Sequence, residues 1–144
     1  MRRKVTCWLQ LAAPRLLAAA WAAWAAATAY AYKSGAPVQL QRLEEVIYVP
    51  IWVLWAVSAA LLIVGAVCPA PYGTRRHEVV SWSRGIGLAI TAGLIGAWAI
   101  EFMNTETGRG WVSGKNYIAL AASALTHSWL VGRYRAPGPP EDSE

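Results

Sequence analysis

Four runs without a charged side chain constrain this chain more than any other feature. They are Leu16–Tyr32, Val46–Cys68, Gly85–Ile100 and Asn116–Gly132, of 17, 23, 16 and 17 residues in a chain of 144. The stretches between them hold 13, 16 and 15 residues, too few for an independent soluble fold. Hydrophobic residues make up 56% and charged residues 15%, where an ordinary soluble domain has roughly 45–50% and about 25%. That balance excludes a disordered chain, a disulfide scaffold and a large aqueous catalytic domain.

A spanning helix needs about 20 mainly apolar residues to cross roughly 30 Å of hydrocarbon. Val46–Cys68 meets this on length and content. The other three runs fall slightly short, which puts Arg15, Arg84 and Lys115 near an interface with their stems snorkelling outward. A soluble bundle would need a polar face at helical spacing. Ser58 in Val46–Cys68 and Thr91 in Gly85–Ile100 do not make one. The predicted fold is therefore all-α: a polytopic membrane protein with four transmembrane helices in an antiparallel bundle. It forms one membrane domain over residues 1–144, with spans at about 14–32, 46–68, 80–103 and 111–134.

The first run has two readings. Ten of its 17 residues are alanine, which inserts far more weakly than leucine. Arg2, Arg3 and Lys4, the apolar stretch and the small pairs Ala27–Ala29 and Ala29–Ala31 also fit a secretory signal. Trp8 and Leu9 ahead of the run, and Tyr30 and Tyr32 at the cleavage position, argue instead for an uncleaved helix.

Basic residues set the orientation. Nine of the 13, namely Arg2, Arg3, Lys4, Arg15, Arg75, Arg76, Arg84, Arg133 and Arg135, fall on one side. Lys33, Arg42, Arg109 and Lys115 fall on the other. This bias puts both termini of a multi-pass membrane protein in the cytoplasm. Arg2, Arg3, Lys4, Arg75, Arg76, Arg84, Arg133 and Arg135 then face anionic lipid, and the +5 net charge implies a lipid bilayer rather than nucleic acid as partner. Cys7 and Cys68 lie on the reducing side. Trp8, Trp52, Trp82, Trp111 and Trp129 lie near span ends as an aromatic belt, while Trp21, Trp24 and Trp55 lie deeper and pack against helices.

Between Pro37 and Pro50, Leu40, Leu43 and Ile47 share one helical face and Gln39, Arg42 and Glu45 the other. This predicts a short amphipathic, interfacial helix over 38–48, opened by Pro37 at its first position. Pro50 either kinks a continuous helix or marks the bend into the second span. Pro69-Ala70-Pro71-Tyr72-Gly73 ends that span, and the proline-rich residues 136–144 read as a disordered tail.

In lipid, helices associate by close backbone approach rather than by the hydrophobic effect. Ser81, Gly85, Ala89, Gly93 and Ala97 recur every four residues and predict a helix-packing ridge, widened by Gly96. Ala19, Ala23 and Ala27 of the first helix are its expected partner, although a second copy of the chain would serve equally. On the fourth helix, Ser113, Asn116, Ser123 and His127 share a face with Thr126 at its edge. This polar seam is either interhelical glue or the lining of a pore or proton path.

Candidate chemistry is thin. His77 is a surface-loop histidine beside Arg75, Arg76 and Glu78, and there is no metal-ligand spacing. Glu101 closes the third span as an outer-interface charge or a pore-mouth carboxylate. No acidic residue lies inside any run, unlike the small multidrug-resistance transporters. No nucleophile-elbow, phosphate-loop or zinc-protease motif occurs. The expectation is a protein that is not an enzyme, with no cofactor, metal or small-molecule substrate.

Ten arginines against three lysines, with abundant Ala, Gly and Trp, fit a high-GC genome. The whole-chain plan resembles the small multi-span membrane proteins of actinobacterial phages, among them holins and four-span proteins of prophage defence. The resemblance is one of architecture and carries no site residue. It implies one of three roles. The first is a self-associating, membrane-perturbing holin-like protein. The second is a prophage defence or superinfection-exclusion protein needing a trigger or partner. The third is a passive accessory subunit of a larger membrane complex.

Overall fold

In a computed structural model, residues 2–68, 74–104 and 110–133 are described, apart from the side chains of residues 2–11, 39, 42, 110, 111 and 131–133. All regular structure in them is α-helical: α1 (Arg2–Tyr32), α2 (Val38–Ile47), α3 (Ile51–Val67), α4 (Arg75–Met103) and α5 (Gly110–Arg133). The proline-glycine loop at 69–73 and the tail at 136–144 lie outside the described residues. The α4 helix is long and apolar enough to cross a membrane, with a mean hydropathy of 1.7 over its best window.

Local chemistry sets the breaks. The α1 helix ends where Gly35 takes φ +141°, a conformation that side chains rarely adopt, and its N–H donates back to the Tyr32 carbonyl at 3.1 Å. Pro37 then serves as N-cap of α2, one position before the first-turn place expected for it. At the far end of α2, Tyr48 adopts φ 53° and caps the helix through its N–H to the Glu44 carbonyl.

The apolar run from Val46 is not one continuous helix. Pro50 lacks an N–H and disfavours helical geometry in the residue before it, so α3 opens only at Ile51. The Ile51 N–H, left over at the helix start, donates to the Glu44 Oε1 at 2.7 Å. A carboxylate at a helix N-terminus is stabilising by about 0.3–1 kcal/mol, and this one ties α2 across the end of α3. The result is an α3 of only 17 residues. The α4 helix starts on Thr74, whose hydroxyl accepts the His77 N–H, with Glu78 in its first turn.

The four longer helices pack in chain order, α1 on α3, α3 on α4 and α4 on α5, with α2 laid over the ends of α3 and α4. The α1 stripe that is buried is Ala18, Ala22, Ala25 and Ala29, against Leu62, Ala59 and Trp55 of α3. Ala19, Ala23 and Ala27, expected to pack on α4, are exposed. The reason is geometric. A strict every-four row drifts about 40° around the helix at each step, whereas spacing of four, three, four stays on one side.

The same drift acts on the ridge of α4. Ser81 and Gly85 are half-buried, Ala89 and Gly93 are exposed, and Ala97 is half-buried again. The buried face of α4 instead runs through Arg84, Gly87, Leu88, Thr91, Leu94, Ile95 and Trp98.

Candidate functional site

Polar groups in the interior meet one another. Ser58, the polar residue of the apolar α3, and Thr91, that of the α4 run, lie hydroxyl to hydroxyl at 2.7 Å, both fully buried. Ser58 also donates to the Gly87 carbonyl at 2.8 Å. One turn on, Leu62 fills the space over Gly87, and beyond it Arg84 lies over Gly65. The contacts at Ser58, Leu62 and Gly65 pair with Thr91, Gly87 and Arg84 in reverse order, so α3 and α4 are antiparallel.

Arg84 departs from expectation. It is only 8% exposed, and its Nε donates to the Gly65 carbonyl at 2.6 Å. That carbonyl belongs to the last turn of α3, whose C-terminal oxygens have no partner within the helix and carry partial negative charge. Arg84 is therefore drawn to a helix end rather than outward to lipid headgroups. Gly65 is what lets it lie there. Arg75 and Arg76 are exposed. The side chains of Arg2, Arg3, Lys4, Arg133 and Arg135 fall outside the described residues.

The seam of α5 is divided rather than continuous. The Trp21 Nε1 of α1 donates to the His127 Nδ1 at 3.1 Å, which places the ring hydrogen of neutral imidazole on Nε2. The Thr126 hydroxyl bonds the Ala122 carbonyl of its own helix at 2.8 Å. Ser113 and Ser123 are half-buried, and Asn116 and Thr126 are exposed. Ser128, outside the expected seam, donates to the Gly85 carbonyl at 3.1 Å and links α5 to α4. Each such bond contributes about 0.5–1.5 kcal/mol net. Ser128 thus fastens α5 to its neighbour α4 and His127 ties it to Trp21 of α1, while Asn116 and Thr126 are exposed.

Aromatic rings fill the centre. Trp21 meets Trp24 edge to face at 5.7 Å, Trp24 meets Trp55 at 5.2 Å, and Trp55 meets Trp98 at 5.8 Å. Trp98 in turn meets Tyr32 at 5.5 Å and Tyr117 at 5.2 Å, and Tyr117 stacks on Phe102 at 5.3 Å. The buried Nε1 atoms of Trp55 and Trp98 have no hydrogen-bond partner. Trp52, Trp82 and Trp129 are exposed. The side chains of Trp8 and Trp111 are not among those described.

The column of rings opens at one end of the bundle into a small cleft of about 50 Å³ lined by Tyr32, Pro37, Leu40, Trp98, Glu101, Phe102 and Tyr117. It gathers the C-terminal end of α1, the start of α2, the last turns of α4 and the second turn of α5. Trp98, Tyr117 and Phe102 had no place among the candidate residues read from sequence. The available signal was Trp98 and Phe102 four apart on one helical face with Glu101 between them. Among the described residues no group of three His, Cys, Asp or Glu side chains could hold a metal ion. No protein family, curated protein or solved structure matches the chain.

Proposed function

We propose that this chain is a four-span protein of a bacterial cytoplasmic membrane, crossing it with α1, α3, α4 and α5, both termini inside. We further propose that it works by self-association that perturbs the bilayer, as phage holins do. The distribution of apolar surface supports the membrane setting. Val57, Ile63 and Val67 on α3, Trp82, Ile86 and Ile100 on α4, and Ile118, Leu125 and Leu130 on α5 are all exposed. Monomeric soluble proteins rarely expose contiguous apolar patches beyond a few hundred Å². The excess of basic residues on the side of the termini supports the orientation.

One observation carries the association. A Cβ on Gly93 would meet nothing within 4 Å, nor would one on Gly96, and Ala89 beside them is exposed. This bare strip of α4 backbone is where another helix approaches closely in lipid. Four glycines in the 85–100 run each cost a helix about 0.8–1.0 kcal/mol relative to alanine, and within the monomer Gly93 has no neighbour to explain that cost. Rings fill the interior of the single bundle, so an aqueous path would run between copies, where Asn116 and Thr126 supply outward polar groups.

The test is induced expression in bacteria with a membrane-potential dye. Depolarisation is expected from the parent chain. Gly93→Leu is expected to abolish it while leaving yield and thermal stability unchanged, because the monomer has room for the side chain. Full potential at high levels of inserted parent protein would overturn the proposal.

A further inference from the structure

The cleft at the end of the aromatic column combines two features that the fold does not require. Glu101 sits in the last turn of α4, a turn with no basic residue. A carboxylate at that end faces the negative pole of its own helix, which is unfavourable. Among the described residues it makes no hydrogen bond or ion pair that would offset this. Around it stand the rings of Tyr32, Trp98, Phe102 and Tyr117.

Ring faces carry partial negative charge and attract cations within about 6 Å of the ring centre. The walls also include Pro37 and Leu40, and no lysine or arginine lines the cleft among the described residues. A metal ion or a bare ammonium would lose water there and find one carboxylate in return. An alkylated ammonium loses little hydration, fits apolar walls and still meets the carboxylate. With an enclosed volume of about 50 Å³, the cleft is far smaller than drug-sized pockets, which run about 300–1,000 Å³. It suits a compact headgroup.

We propose that this cleft binds a quaternary or alkylated ammonium group, held by the rings of Tyr32, Trp98, Phe102 and Tyr117 and paired with the Glu101 carboxylate. The proposal is independent of self-association and of the Gly93 strip. The ligand is either a free solute or the headgroup of a membrane lipid, and both present the same chemistry.

Calorimetric titration of the full chain in maltoside micelles tests it, with choline as probe. The control is its neutral isostere, in which a tert-butyl group replaces the trimethylammonium. Choline is expected to bind roughly tenfold or more tightly than the isostere. Glu101→Gln is expected to bring choline down to the isostere's level with helicity retained and the melting midpoint not lowered, since it removes a charge that is unfavourable at that helix end. Phe102→Leu, which leaves Glu101 in place, is expected to weaken choline severalfold. Equal binding of the two probes, no detectable choline binding, or full binding by Glu101→Gln would each overturn the proposal. Adding phosphatidylcholine to the micelles separates the sources. Displacement of choline identifies a lipid headgroup, and undisturbed binding identifies a free solute.

Discussion

Gly87→Leu is expected to destroy the folded bundle, while the same substitution at Gly93, six residues along the same helix, leaves it intact. A Cβ at Gly87 would lie 2.8 Å from the Leu62 Cγ and 3.3 Å from the Leu61 Cβ. The rest of a leucine has nowhere to go without parting α3 from α4. Parting them also breaks the Ser58 bond to the Gly87 carbonyl and pulls Ser58 from Thr91. Overpacking of this kind costs about 1–3 kcal/mol, and the two broken bonds add roughly 1 kcal/mol each. The expected result is aggregation or a strongly lowered melting midpoint in micelles. At Gly93 the change is expected to stay within about 0.5 kcal/mol, as at other unpacked surface positions. Equal melting midpoints for the two variants would show that α3 and α4 are not packed as described.

Trp55→Ala is expected to be the most damaging single truncation. The side chain is fully buried and bridges Trp24 on α1 to Trp98 on α4. Removing a buried tryptophan costs about 3–5 kcal/mol, since the surroundings relax only partly into the space. Trp55→Phe separates packing from polarity. It keeps a ring between Trp24 and Trp98 and removes an indole N–H that has no partner. Leaving such a donor buried costs about 1–3 kcal/mol, so its removal offsets much of the lost volume. Thermal melts in micelles are expected to rank the parent and Trp55→Phe close together and Trp55→Ala far below. A phenylalanine variant as weak as the alanine variant would mean that the indole N–H is engaged.

Much of the helical plan was legible because it rests on local rules. Pro37, Pro50 and the absence of charge over long runs give helix positions from backbone chemistry alone. Ser58 and Thr91 stood out as isolated polar residues, and such residues find each other in an apolar interior because few other polar side chains are within reach there. Faces were harder to read. The every-four row from Ser81 to Ala97 marks small residues, yet a row with that spacing winds around α4, so only part of it meets a neighbour. The glycines that admit close contact are Gly65, Gly87 and Gly114, facing Arg84, Leu62 and Met103. Nothing in the spacing of Gly65 or Gly114 names those partners. Arg84 was read by its length as a snorkelling residue, because the carbonyl that receives it lies 19 residues back in the chain. The aromatic cleft was illegible for the same reason: its rings come from three helices, and only Trp98 and Phe102 share one.

The shortness of α3 has a consequence for the surrounding lipid. Pro50 fixes its start, and its 17 residues rise about 26 Å at roughly 1.5 Å each, less than the roughly 30 Å of a typical hydrocarbon core. If α3 spans the membrane as proposed, the bilayer beside it must thin, at a fraction of a kcal/mol for each ångström of mismatch. That penalty grows with the perimeter of deformed lipid, and copies lying side by side share a perimeter. Clustering is then favoured by the elasticity of the membrane itself before any side chains touch. Energy transfer between labelled copies is expected to rise as the acyl chains of the host bilayer are lengthened.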